Sequence, residues 1–174
     1  MQRFTTYRHL QVFLVIMTVI GMSFALFFLQ RHMGFSPCPL CVFQRIGLMV
    51  MGGFALIAAL LNPKSIAVKL LLWIGSLAGI IWSTGVAARH VWLQHLPPDQ
   101  VPTCGPGLDY WLDTLPMQQV FNEVLSGSGE CATVDWRFLG LSIPEQSLIL
   151  FSVLLLTHLL ILWRIMRPML SARR

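Results

Sequence analysis

Charge is scarce in this sequence, and acidic charge is missing from more than half of it. Only 11% of the 174 residues are charged, against about 25% in a typical soluble domain, and the first acidic residue is Asp99. With 56% hydrophobic residues gathered into long uncharged runs, the chain cannot cover a water-facing surface of ordinary size. The formal net charge of +5 does not point to nucleic acid, because a binding footprint needs basic residues clustered on one face. No internal repeat or low-complexity tract is visible. The apolar runs also lack the alternation of barrel strands.

What is present is four uncharged stretches: Leu10–Gln30, Ile46–Pro63, Leu70–Ala88 and Gln146–Trp163, of 21, 18, 19 and 18 residues. A helix crossing the hydrocarbon needs about 20 residues, with a range of about 17–25. With no water there to satisfy backbone N–H and C=O groups, the helix is the state open to such runs. The first run is longer than the roughly 7–15 residues of a signal h-region and has no small-x-small site after Phe28, so it is expected to stay attached as an anchor. Allowing for helix ends, the reading is an all-α membrane protein of one domain, 1–174. Its four helices are placed at about 10–30, 42–62, 66–88 and 146–163. Short links at Arg31–Pro37 and Asn62–Ser65 make sequential helices antiparallel neighbours in a bundle.

Basic residues give the orientation. Arg3, Arg8, Lys64, Lys69, Arg164, Arg167, Arg173 and Arg174 flank one set of helix ends, eight of the twelve basic residues. Arg31, Arg45, Arg89 and Arg137 lie toward the other. The positive-inside rule places both termini in the cytoplasm. All seven acidic residues fall between Asp99 and Glu145, inside a long external connection, residues 89–145. That connection is punctuated by Pro97-Pro98, Gly105-Pro106-Gly107 and Gly127-Ser128-Gly129, and is too poor in apolar residues for a core of its own. Trp136–Ile143 has the composition of a segment lying in the membrane interface, and His158 reads as a buried polar contact between helices.

The four cysteines carry the chemistry. Cys38 and Cys41 form Cys-Pro-Leu-Cys at the outer start of the second helix, and Cys104 and Cys131 lie in the long connection. All four face the compartment in which disulfides persist. Three pairings are possible; proximity favours Cys38–Cys41 with Cys104–Cys131. A structural staple is reasonable for the loop pair, where closing about 28 residues is worth roughly 3–4 kcal/mol. It is poor for Cys38–Cys41, whose small ring gains little entropy; such motifs are redox-active or metal-binding. Zinc favours paired Cys-x-x-Cys knuckles, c-type haem needs His where Val42 stands, and the external placement favours redox chemistry, so no metal is expected. Cys41 opens a helix whose free N–H groups favour a thiolate. Arg45 follows one turn deeper on the same face; an intramembrane cation there is either snorkelling or functional.

The run Pro37-Cys38-Pro39-Leu40-Cys41-Val42-Phe43-Gln44-Arg45 resembles the disulfide bond formation protein B (DsbB) family. So do Arg89-His90 at the end of the third helix and Trp136-Arg137-Phe138-Leu139-Gly140-Leu141 before the fourth. The resemblance covers nearly the whole chain. It implies a multi-pass enzyme of the bacterial inner membrane, in contact with lipid, with its cysteines periplasmic. It would reoxidise a periplasmic DsbA-type thioredoxin-fold oxidase and pass the electrons to membrane quinone, ubiquinone or menaquinone. The resemblance also implies that Cys104 is attacked by the partner, that Cys131 is released to exchange with Cys38, and that Cys41 and Arg45 face the quinone. His90 is then a second residue near the quinone headgroup, or else an ordinary interfacial histidine. A DsbA-type partner is itself oxidising, near about −120 mV, so an inert structural disulfide below roughly −300 mV could not reoxidise it. The alternatives are a metal-handling membrane protein or one whose disulfides are structural.

Overall fold

A computed structural model describes residues 7–171 apart from Asp135, with side chains as far as Arg167; Arg3, Arg173 and Arg174 lie outside the described residues. Four helices are long and apolar enough to cross a membrane: Tyr7–His32, Pro39–Leu61, Ile66–Gln94 and Ile143–Arg167. The first is α1 (Tyr7–Ser23) continued by a π-helical stretch, Phe24–His32. The others are α2 (Pro39–Leu61), α3 (Ile66–Gln94) and α7 (Ile143–Ser171). Between α3 and α7 lie α4 (Leu108–Thr114), α5 (Met117–Ser126), α6 (Gly129–Ala132) and a two-stranded hairpin, β1 (Arg137–Phe138) with β2 (Leu141–Ser142).

The helices run past the limits expected from charge-free stretches, and the local chemistry explains each extension. The second begins at Pro39 rather than near 42, because Pro39 occupies the first turn and Cys38 is the N-cap; proline is pre-set for that position and lacks only an N–H that has no helical partner. The third continues through Arg89 and His90 to Gln94 rather than stopping at 88. The Arg89 side chain leaves the helix to donate to the carbonyls of Leu125 and Ser126, at 3.0 and 2.9 Å, so its charge does not end the helix. The fourth starts at Ile143, where the Glu145 carboxylate accepts from the Ser142 N–H at 2.7 Å. At the other end, α2 stops at Asn62, a left-handed residue with φ 39° whose N–H reaches the Ala58 carbonyl, followed by Pro63, which cannot continue a helix.

Small residues set the spacing of the bundle. A Cβ on Gly79 would sit 2.6 Å from the Gly47 carbonyl, and one on Gly47 would sit 2.7 Å from the Gly79 carbonyl, so α2 and α3 cross backbone to backbone. Close approach through small residues is how helices associate where lipid removes the hydrophobic incentive. Leu14, Met51, Ile80, Leu154 and Ile161 fill the interior. The outward faces are apolar too: Leu60, Leu71, Ile74, Ile81, Leu156 and Leu159 are exposed on the spans, which suits hydrocarbon as solvent.

Polar contacts tie the spans together at depth. His158, fully buried, faces the Ser76 hydroxyl at 2.9 Å, Ser76 donates to the Met51 carbonyl, and Trp73 Nε1 donates to the His158 carbonyl at 3.0 Å. This is the interhelical contact expected of His158.

The long connection packs on one end of the bundle instead of forming a core alone. Trp111, Val120, Val124 and Cys131 bury themselves against Leu40, Phe43, Val86 and Leu93. Trp136–Ile143 is largely the hairpin, pairing Arg137 with Ser142 and Phe138 with Leu141. Its turn, Leu139-Gly140, has φ of 53° and 83°, the positive pair that matches strand twist. Trp136 stacks on Phe138 and meets Phe28 edge-on, holding the hairpin base to the first helix while Leu139 at the tip stands 86% exposed.

Candidate functional site

Three of the four cysteines meet at the start of α2. As N-cap, Cys38 presents its sulfur to the Cys41 N–H at 3.4 Å, and the two sulfurs lie 3.0 Å apart. Opposite them, from α3, comes His90, only 3% exposed. Its Nε2 is 3.9 Å from Cys38 Sγ and its Nδ1 is 4.0 Å from Cys41 Sγ. Nε2 also lies 3.0 Å from the Cys131 carbonyl, and Nδ1 3.2 Å from Gln44 Nε2. The network assigns the ring proton to Nε2, donated to that carbonyl, leaving Nδ1 to accept from the Gln44 amide. Cys131 arrives on α6, 1% exposed, and its sulfur, that of Cys38 and a His90 nitrogen all lie within 4.8 Å of one another.

Cys104 is different. It is exposed and belongs to the irregular segment before α4. The Gly129 N–H donates to the Thr103 carbonyl at 3.2 Å, which stitches that segment to the turn just ahead of Cys131. A Cβ on Gly129 would meet the Pro102 carbonyl at 2.6 Å and Cys104 Sγ at 3.1 Å, so the close approach requires glycine. All four cysteines carry free thiols in this structure.

The electrostatics distinguish Cys131 from Cys38. The Cys131 thiol is pulled down to about 6, first by the hydrogen bond from Cys38, against the cost of burial, then by the Ser128 hydroxyl and the Leu40 N–H. Leu40 lies in the first turn of α2, so the helix N-terminus receives the Cys131 sulfur as well as that of Cys38. Conversely, the Cys38 thiol is pushed up, because it donates to Cys131 and to Cys41 and is buried. Cys38 thus keeps its proton and, as donor, favours the thiolate form of Cys131.

Two adjoining cavities open beside these sulfurs. One, of about 260 Å³, lies between the first helix, α2 and α7; Phe24, Leu29, Cys41, Gln44, Arg45 and Leu150 are among its walls. The other, of about 390 Å³, has Cys38, Cys41, Arg45, His90, Glu130 and Trp136 around it. Cys41 and Arg45 border both. Of the residues singled out from sequence, Cys38, Cys41, Cys131 and His90 are brought into contact, Arg45 shares cavity walls with Cys41, and Cys104 stays outside at the surface. Sequence reasoning left out Gln44, although a polar side chain one turn from Cys41 in an apolar helix is the same signal that marked Arg45. It also left out Ser128 and the Leu40 N–H, which only the folded connection brings to Cys131.

The family profile described as "Disulfide bond formation protein DsbB" matches residues 7–161. The chain is 81% identical over 168 residues to Disulfide bond formation protein B of Psychrobacter cryohalolentis, covering 97% of this chain and 96% of that protein. It is 57% identical over 162 residues to the protein of the same name from Acinetobacter baumannii, covering 93% and 92%. The corresponding Marinobacter nauticus protein is 42% identical over 158 residues, covering 89% and 92%. With its four apolar helices, the chain is therefore a multi-pass membrane protein that belongs to the DsbB disulfide bond formation family.

Proposed function

We propose that this chain draws two electrons from a periplasmic DsbA-type dithiol oxidase and delivers them to membrane quinone, ubiquinone or menaquinone, regenerating the partner's disulfide. The observation that carries the reading is the position of Cys38: its sulfur is 3.0 Å from that of Cys41 and within 4.8 Å of that of Cys131. One sulfur therefore links the loop pair to the helix pair, and the helix pair borders the cavities.

In the oxidised chain the pairs are Cys104–Cys131 and Cys38–Cys41. A partner thiolate attacks the exposed Cys104 sulfur, forming a mixed disulfide and releasing Cys131 as a thiolate. The helix N-terminus and the Ser128 hydroxyl favour that thiolate. Cys131 attacks Cys38, and the electron pair of the broken Cys38–Cys41 bond leaves on Cys41. The partner's second thiolate then attacks its own sulfur on Cys104, giving the partner's disulfide and a Cys104 thiolate. That thiolate attacks Cys131, restores the loop disulfide and frees Cys38, so the two electrons now rest in the Cys38–Cys41 dithiol. Bound quinone supplies the sink for two electrons and two protons. The smaller cavity fits such a group chemically: its walls are mostly apolar, and Arg45 and Gln44 offer donors beside Cys41. Gln44 also holds His90 in the orientation that lets both ring nitrogens face the sulfurs.

The orientation follows the charges: Arg8, Lys64, Lys69, Arg164 and Arg167 mark the cytoplasmic end, in the bacterial inner membrane, and the cysteines are periplasmic. The test is direct. Reduced DsbA-type protein added to the purified chain with quinone should convert quinone to quinol, one per partner disulfide formed. Cys104→Ala should abolish the mixed disulfide with the partner while the Cys38–Cys41 pair still responds to quinone. Partner capture that survives this change and requires Cys38 instead would reverse the assignment of the pairs.

A further inference from the structure

We propose that the fully reduced chain holds a site for one soft divalent cation, Zn²⁺ foremost, ligated by Cys38, Cys131 and His90 and completed by Cys41. The three ligating atoms lie within 4.8 Å of one another. Tetrahedral zinc, with Zn–S near 2.3 Å, keeps its ligand atoms about 3.8 Å apart. The set therefore needs to contract by about 1 Å at most, and the separation of Cys38 Sγ from His90 Nε2, 3.9 Å, is already close. The Cys41 sulfur, 3.0 Å from that of Cys38, is within reach of the fourth position. Thiolate and imidazole are the donors zinc prefers, and among the described residues no hard carboxylate belongs to the cluster.

The surroundings suit a metal as well. Cys131 and His90 are shielded from water, while the larger cavity, bordered by Cys38, His90 and Glu130, gives a path of entry. Two thiolates neutralise the dication in an apolar setting, and Arg45 offsets the third. Once Nε2 ligates the metal, the ring proton moves to Nδ1, where Gln44, 3.2 Å away, turns its carbonyl to accept it. This is the outer-shell bond that orients most metal-bound histidines. Binding displaces thiol protons and moves no electrons.

The consequence rests on the redox reading given above. Cys38 and Cys131 are the two sulfurs that exchange between the pairs, so a metal across them stops turnover. Because the ligands exist only as thiols, the brake engages when both pairs are reduced, that is, when dithiol supply outruns quinone.

The full-length purified chain, reduced and freed of reductant, is titrated with Co²⁺ as a spectroscopic stand-in for Zn²⁺. One Co²⁺ per chain should bind with sulfur-to-cobalt charge-transfer absorption and be displaced by Zn²⁺. The absorption should vanish after oxidation by diamide and in Cys38→Ser and Cys131→Ser, and persist in Cys104→Ser. Gln44→Leu should weaken binding about 10–100-fold. Absence of the band in the reduced chain, its persistence in Cys131→Ser, or its loss in Cys104→Ser overturns the site. Quinol formation by the metal-free chain is followed in parallel and should stall with Zn²⁺ and recover with a chelator. A chain that makes quinol yet binds no cobalt overturns this proposal alone; one that binds cobalt yet makes no quinol supports the site and overturns the oxidase reading.

Discussion

Replacing Arg89 by Ala removes the clamp that holds the Cys131 segment on the bundle. The guanidinium donates to the last carbonyls of α5, Leu125 and Ser126, at 3.0 and 2.9 Å, and stacks on Trp92 with its carbon 4.1 Å from the ring centre. Cys131 follows only five residues after Ser126, and Gly127 between them packs on Leu93 with φ 84°. A hydrogen bond to a charged group is worth about 1.5–3 kcal/mol when its loss leaves a buried partner unsatisfied, and an exposed cation–π contact about 0.5–1 kcal/mol. Here one carbonyl is exposed and the other only partly buried, so water replaces much of what is lost. The cost of undocking therefore falls by about 1–2 kcal/mol, a factor of roughly 5–30 in the docked-to-open ratio. Because Cys131 is 1% exposed, a reagent reaches it through the open state, and its alkylation rate in the reduced chain should rise by that roughly 5–30-fold factor. Peptide-resolved mass spectrometry measures the rate, with exposed Cys104 as internal reference. Arg89→Lys should recover only part of the protection, because it lacks the planar fork. An unchanged Cys131 rate in Arg89→Ala would show that the packing of Val120 and Val124 holds the segment without the arginine.

Arg45→Ala should raise the KM for quinone in steady-state assays and leave mixed-disulfide formation at Cys104 largely intact, with Lys recovering only part; an unchanged quinone dependence would return Arg45 to the snorkelling residues. The Cys131 thiol, lowered to about 6 chiefly by the Cys38 hydrogen bond, should be a thiolate above that pH and lose the charge as pH falls through it. Cys38→Ala should move the midpoint upward, read as the ultraviolet thiolate absorbance that disappears in Cys131→Ser. In intact spheroplasts a membrane-impermeant thiol reagent should label reduced Cys104 from outside, and a reporter fused after Arg174 should behave as cytoplasmic; labelling of Cys104 only after lysis would invert the topology.

The spans were legible in the sequence because hydrocarbon imposes one rule on every residue in it, so a simple run of uncharged positions carries the signal. Their ends were less so, because the same rule treats any charge as a stop. Arg89 sits inside α3 because its fork finds carbonyls on α5, a segment some 36 residues further along the chain. A one-dimensional reading cannot supply that partner. Residue type alone marked the cysteines and Arg45, since thiols outside the lipid and a charge near its edge have few uses that are only structural, whereas His90 was marked only by the family resemblance. Which thiol lies against which is a different kind of fact. Proximity in sequence pairs Cys104 with Cys131, yet Cys131 is the one buried beside Cys38 and His90, while Cys104 remains at the surface. The difference arises because Trp111, Val120 and Val124 sit on Leu40, Phe43 and Leu93, carrying α6 down onto the start of α2. A connection too poor in apolar residues to fold alone had only that end of the bundle to pack against, and packing there brings Cys131 to the one helix N-terminus that already holds two sulfurs.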